Sequence, residues 1–546
     1  MRTIFIFLTI IIVTGQISYT QTADHFIKMG LVKYDNGNYT GAIEEYDKAI
    51  SMLPNLDNAY YNRGKANIKL GEYDNAFSDF DRALRINKDF AEAYCGRGDT
   101  QIKRGNYMDA INDYTKAIEL NPDYVEAYNQ RGMARYKTGD YLVAIDDCHH
   151  ALRISPENIK AYNNRGIIKS ALADYRGAIF DYTKAIRLEP EYAESYYNRA
   201  NAKQKLGDYK GATEDYQTAI EKGIEKTKQF DVYNNMSIAK HYLGDFEGVI
   251  SNLNKVLEIN PNSTQAYINR AIAKVNINDY KGAIEDYSKA IELDPDNINA
   301  HYNKGLAGYH INDYNIAIES YTKAIELDPE HINAYYNRGI AKREISDYEG
   351  AIEDYTKVIE LNPNHSKSYN NRGLAKDILE QYKESLEDYD KAIELNPYDQ
   401  VKYNNRGIVK RKLGNYSGAI EDYNKSIEIN PYNAVTYNYR GIANRNLGNY
   451  NEAIEDYSKA VNIDNNYAEA YFNKGLIEEL LENYTEALES FYKVIKINPQ
   501  YTEAYYYSGL MENKLGNNEE ACKNWNKAME NGCPESEKLI NMNCEN

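Results

Sequence analysis

The chain has 546 residues, with 82 acidic against 64 basic side chains and a formal net charge of −18. That balance argues against the clustered Lys and Arg surface that nucleic acid requires, and an anionic membrane face would repel it. The usual expectation of several globular domains at this length also gives way, because the sequence repeats itself. A small residue recurs at Gly30, Gly64, Gly98, Gly132, Gly166, Ala200, Ser237, Ala271, Gly305, Gly339, Gly373, Gly407, Gly441, Gly475 and Gly509. Every step is 34 residues except the step into Ser237, which is three longer.

In chain order, residues 1–20 read as a secretory signal peptide. Arg2 supplies the basic start and Ile4 to Val13 the apolar core, with Ser18 and Thr20 ahead of a cut before Gln21. The apolar run is too short to span a bilayer comfortably, with an uncleaved N-terminal anchor as the alternative reading, and no later segment approaches a span. The expected mature product is therefore exported (periplasmic, outer-surface or secreted) without a membrane span. Residues 23–224 hold six repeats, and residues 225–531 hold nine more after the insertion. Residues 532–546 read as a terminal cap.

The repeat over 335–363 shows how one period folds. Apolar and small residues recur at three- and four-residue spacing on either side of Ser346 and Asp347, which predicts two amphipathic helices around a tight turn. Asp347 is placed to cap the second helix, and Asn362-Pro363 stops it. Eleven of the 12 prolines occupy this one place, so they punctuate the fold. With the aligned small residue numbered 8, position 20 is Ala in thirteen repeats, position 27 mostly Ala and position 24 mostly Tyr. Small residues at 8, 20 and 27 let helix backbones approach, and the ring at 24 fills the space beside them. The fold class expected is all-α: a right-handed α-α superhelix of about fifteen 34-residue hairpins with a C-terminal capping helix.

An aromatic, a small residue, Ala, an aromatic, Ala and Pro at these offsets resemble the tetratricopeptide repeat, over roughly Ala23 to Asn531. The resemblance implies a non-catalytic scaffold that holds an extended peptide or helix of a protein partner in its concave groove. Position 7 departs from the family pattern, being Arg in ten repeats, and position 11 is mostly Lys. All ten repeats with Arg at 7 carry Asp at 23, and none of the other five does. This predicts interhelix ion pairs such as Arg338 with Asp354, Arg372 with Asp388 and Arg406 with Asp422.

The irregular places follow. The insertion lies in Lys222 to Asp231, where the usual proline is missing, and is expected to lengthen a turn. The seventh repeat has Val249, Leu253 and Val256 in place of Ala, Tyr and Ala. This marks either a change of curvature or simple drift of one repeat. The last repeat carries the only tryptophan, Trp525, and 534–542 reads as one more helix. Cys522 begins one helix and Cys544 ends the antiparallel one after it, so the hairpin brings them together as a candidate disulfide in an exported protein. The run ACKNWNKAMENG and the Asn-, Tyr- and Ile-rich composition resemble Bacteroidetes-type bacterial repeat proteins.

No phosphate loop, metalloprotease helix or nucleophile elbow occurs, so no enzyme activity and no cofactor are expected. The cluster Asp146, Asp147, Cys148, His149 and His150 is read as structural, because its Cys occupies the packing position 24. Binding residues are sought on the first helix of each hairpin. Position 6 is Asn at Asn62, Asn164, Asn198, Asn235, Asn269, Asn303, Asn337, Asn371, Asn405 and Asn473, a row of amides able to pair with a peptide backbone. This is similar to the asparagine ladder of O-linked N-acetylglucosamine transferases, although the column also has an ordinary packing explanation. Arg343, Arg411 and Arg445 at position 12 add positive charge to the lining, which favours acidic segments. A second function class stays open: a structural spacer, or a self-associating component of a cell-envelope assembly.

Overall fold

The computed structural model describes residues 22–544, in which 31 helices and no strand occur. The signal-peptide reading of residues 1–20 lies outside the described residues. The helices run from α1 over 22–35 to α31 (Glu535–Asn543), and successive pairs form the hairpins. None of them is long and apolar enough to cross a membrane. The chain packs as two compact bodies, one ending at Ile277 and the other beginning at Asn278. Within each, every helix packs on the helix before it and the helix after it.

The hairpin of α19 (Ile332–Glu344) and α20 (Tyr348–Leu361) shows why these residues turn where they do. Ser346 takes the left-handed conformation at φ 65°, a place held by Gly71 and Gly414 in sister hairpins. Asp347 Oδ1 then accepts the Gly350 amide at 3.0 Å and so satisfies one orphan donor of α20. At the other end Asn362 is extended ahead of Pro363, which forbids another helical turn. Between these stops Ala351, Tyr355 and Val358 are fully buried. The Tyr355 ring lies so close to α19 that a Cβ on Gly339 would meet it at 2.8 Å. That contact is why position 8 is small.

The three-residue insertion lengthens a helix rather than a turn. α12 (Tyr209–Glu221) ends four residues before α13 (Lys226–Tyr242), the usual spacing, but α13 has 17 residues. With no proline to enforce an extended exit, Gly223 ends α12 at φ 78°. The Ile224 amide reaches back to Ala219 O at 3.0 Å, and the chain enters the next helix early.

At the C-terminus Trp525 in α30 (Asn518–Glu530) is fully buried, and Cys522 is joined to Cys544, the residue that ends α31. Only Ser536 is buried on α31, which leaves the polar face that the end of a stack needs.

Candidate peptide-binding groove

One set of conspicuous side chains is occupied inside the protein. Arg338 donates from Nε and Nη2 to the two oxygens of Asp354, at 2.9 and 2.6 Å. Lys342, at position 11, adds its ammonium to the same carboxylate at 3.0 Å. The pattern repeats with Arg372, Lys376 and Asp388 at 2.6 and 2.7 Å, and with Arg406, Lys410 and Asp422 at 2.6 and 2.9 Å. Arg338 has one more donor, Nη1, which reaches Thr322 Oγ1 at 3.0 Å on α18 (Tyr314–Leu327) of the preceding hairpin. The Tyr335 ring, 5.5 Å from the guanidinium, covers it. Each such arginine therefore ties three helices together. The role of Lys at position 11 was not legible from sequence, because Lys on a helix is ordinarily solvated.

The asparagine column serves partly the same end. Asn198 donates Nδ2 to Asn163 Oδ1 at 3.1 Å, Asn337 to Tyr302 OH at 3.0 Å and Asn371 to Tyr336 OH at 3.2 Å. Asn235, Asn405 and Asn473 likewise donate to side chains of the hairpin before them. Asn269 accepts from Gln265 at 2.8 Å, whereas Asn62, Asn164 and Asn303 are half-buried without a side-chain hydrogen bond among the described residues. Six of the ten are thus ties between hairpins, each with one amide proton and a carbonyl lone pair to spare.

The position-12 arginines face different surroundings. Arg343 pairs with Glu344 at 2.7 Å. Arg411 lies over the Tyr439 ring at 5.9 Å, with its buried Nε unpartnered. Arg445 is half-buried without an ion pair among the described residues. Asp377 interrupts the series and binds Lys412 at 2.8 Å, so the positive lining is discontinuous.

In the first body, position 9 is acidic at Asp99, which accepts the Tyr114 hydroxyl at 2.8 Å. Burial pushes its carboxyl up to about 6, although that hydrogen bond works in the opposite direction. A raised carboxyl favours the fold while protonated, so its contribution is lost as pH rises from about 4 through 6. Asp99→Asn should remove about 2–3 kcal/mol of that fall, two pKa units' worth, in urea melts at pH 4 and pH 7.

Open clefts lie along the first helices, and a further one of about 440 Å³ lies among His301, Lys304 and the α18 residues Ser320, Lys323 and Glu326. In the first body a cleft of about 250 Å³ is bounded by Ser237, Ile238, His241, Tyr242, Val249, Asn269 and Ile272. Beside it a polar cleft of about 580 Å³ is lined by Asn201, Gln204, Lys205, Tyr209 and Asn235, and shares Ile238 and Tyr242. In the second body Leu306, Tyr309, Tyr321, Asn337 and Ile340 bound a smaller one of about 80 Å³. Positions 6, 9 and 12 recur in all three clefts along the first helices, and position 13 in the two of the first body. The Asp146–His150 cluster stays apart from these clefts: Asp147 binds Arg131 and Arg135, Cys148 is buried at position 24, and His150 stacks on Tyr128 at 5.4 Å.

Comparison with known proteins gives matches of two descriptions. Models described as TPR repeat match residues 30–71, 98–139, 171–207, 273–310, 309–344 and 445–479. Models described as Tetratricopeptide repeat match 58–90, 125–158, 332–365, 366–399, 402–433, 422–455 and 468–501. Together they cover more than half of the chain. No curated protein matches it. Among solved structures, YrrB, a TPR protein with an unusual peptide-binding site, is 24% identical over 34% of this chain and 95% of its own, with TM-score 0.32. MamA is 28% identical over 31% and 93%, with TM-score 0.31. A tetratricopeptide repeat protein from Parabacteroides merdae is 23% identical over 46% and 98%, with TM-score 0.37.

Proposed function

The chain belongs to the tetratricopeptide repeat family, and from that premise we propose that it is a non-catalytic scaffold holding an extended segment of a protein partner along the first helices of its hairpins. One observation carries the reading, a division of labour between columns. In the hairpins that pair Arg with Asp, positions 4, 7, 11 and 23 are spent on bonds between helices, while positions 9, 12 and 13 line open clefts; the ninth hairpin, with Lys304 and Ser320 at 7 and 23, has a cleft there as well. An enclosed core would leave no such row of clefts, and a catalyst would need reactive groups converging on one of them. Export is part of the proposal. The basic, apolar and small-residue order of residues 1–20 supports it, as does the Cys522–Cys544 pairing, because disulfides persist in oxidising compartments.

The test is site-specific photo-crosslinking of the mature chain in its exported fraction. A crosslinker at Leu306, in the cleft, should trap a partner polypeptide. The same group at Lys357, exposed on α20 and paired with Glu360, should not. Equal trapping at both places, or adducts only with a second copy of the chain, would replace this reading by the spacer or self-association reading.

A further inference from the structure

Fourteen hairpins carry an aromatic ring or Cys at position 24, and the seventh carries Leu253. The difference reaches the groove. Tyr321 forms part of the wall of the cleft over its hairpin, and Tyr182 does the same over the fifth. That fifth cleft is about 300 Å³, with the small Ser170 and Ala171 at positions 12 and 13, yet a ring still stands in it. In the sixth hairpin the Tyr216 hydroxyl goes further and sits between positions 9 and 12, 2.6 Å from Asn201 Oδ1 and 2.8 Å from Gln204 Oε1, with one proton to donate to either. Leu253 is fully buried with Val249, Val256 and Leu257, and no position-24 side chain enters the lining of the cleft above it. Ser237 and Val249 line that cleft instead, below Ile238 and Ile272, with His241 and Asn269 as polar groups. The chain has vacated a site that it elsewhere fills with its own tyrosine.

The next cleft supplies the charge. Lys205 lines it among the amides of Asn201, Gln204 and Asn235 and has no ion pair among the described residues. Tyr242, common to both clefts, is held by stacking on Tyr209 at 4.5 Å. Helices pack about 8–10 Å apart, and an extended chain advances about 3.3 Å per residue, so one hairpin corresponds to about three residues of ligand.

We propose that the seventh hairpin anchors the groove. Its cleft takes one aromatic side chain of the bound segment, and Lys205 takes a carboxylate about three residues away in the same segment. The occupant is thus an acidic, aromatic-bearing stretch of a partner polypeptide. The ring replaces the missing tyrosine in a mostly apolar seat, and the acid meets the unpaired ammonium. The proposal rests on the groove reading above and adds to it the partner's chemistry.

The probes are two amidated tetrapeptides, acetyl-Asp-Ala-Ala-Phe and acetyl-Phe-Ala-Ala-Asp, with 4-fluorophenylalanine as the ring. Their ¹⁹F line widths are read against the full mature chain. One order should broaden, and an unlabelled Leu-for-Phe peptide should compete poorly. The variant Ser237→Ala/Val249→Ala/Leu253→Tyr copies the Ala200, Ala212 and Tyr216 set of the sixth hairpin. It should keep or raise the melting temperature while weakening the peptide about tenfold or more, the factor that burial of one side chain provides. Lys205→Glu should weaken the acidic peptide and leave an Asn-for-Asp peptide unchanged.

Undiminished binding to the folded triple variant would overturn the proposal. So would no binding of either order to the native chain at millimolar peptide. Equal competition by N-acetylphenylalaninamide would point to a small aromatic molecule in place of a polypeptide, and would also overturn it. Failure here is separable from failure of the groove reading: a triple variant that still crosslinks its partner from Leu306 keeps the groove and loses only the anchor.

Discussion

Asp354→Ala is expected to cost about 3–5 kcal/mol, more than any surface change, because it leaves two cations in a half-buried place without their counter-charge. Asp354 is 2% exposed and receives both Arg338 and Lys342. Lys342→Met should cost far less, about 1 kcal/mol, since the arginine still holds the carboxylate in a two-pronged grip. The triple change Arg338→Met/Lys342→Met/Asp354→Leu should recover most of the loss, because apolar residues of similar volume replace both cations and the carboxylate without an orphaned charge. Urea melts followed by circular dichroism would give the three values. In a stack whose hairpins contact only their neighbours, the damage should appear as early opening around α19 and α20, which hydrogen exchange would localise. A loss below about 1 kcal/mol for Asp354→Ala would mean that water screens the pair and that Arg338 is no staple.

The reach of the sequence can be judged from the same residues. Packing columns were legible because every hairpin solves one steric problem: Gly339 is small since the Tyr355 ring stands on it, and the next hairpins repeat the pairing. The Arg and Asp columns could be read together because they appear and disappear together. Lys342 could not, because Lys has the same propensity on a wet helix face as on a bridged one. The asparagine ties were hidden for a different reason: their acceptors lie one hairpin back and change type, Asn163 in one case and Tyr302 in another. The missing proline near Lys222 signalled an altered helix exit without saying which segment would grow. Gly223 decided it by ending α12 in a turn that delivers the chain directly into α13. The Leu253 substitution was visible as a broken column. Its consequence, an open seat in the groove, needed the neighbouring side chains in place.

The position-24 tyrosines offer the second large effect, and one in which ring and hydroxyl act in opposite directions. Tyr457 is fully buried against Ile442, Ala453 and Ile477, and its hydroxyl has no hydrogen-bond partner among the described residues. Burial raises its phenol above the ordinary range, and the carboxylates of Asp456 and Glu469 add to that while Arg445 and Arg411 oppose it. Tyr457→Ala should therefore cost about 3–5 kcal/mol, as removal of a buried ring leaves a cavity the stack cannot close. Tyr457→Phe should be neutral or stabilise by up to about 1 kcal/mol, because it deletes a desolvated hydroxyl that gains nothing in return. The same change at Tyr216 should go the other way and cost about 1–3 kcal/mol, since that hydroxyl sits between Asn201 and Gln204 and its loss leaves Gln204 Oε1 unserved, while Asn201 Oδ1 keeps the Asn235 amide. Calorimetry on the three variants reads the contrast directly. A substantial loss in Tyr457→Phe would show that a water or a ligand group bonds the hydroxyl from the Arg411 and Arg445 side, and the groove would then reach deeper into the second body than its side chains alone indicate.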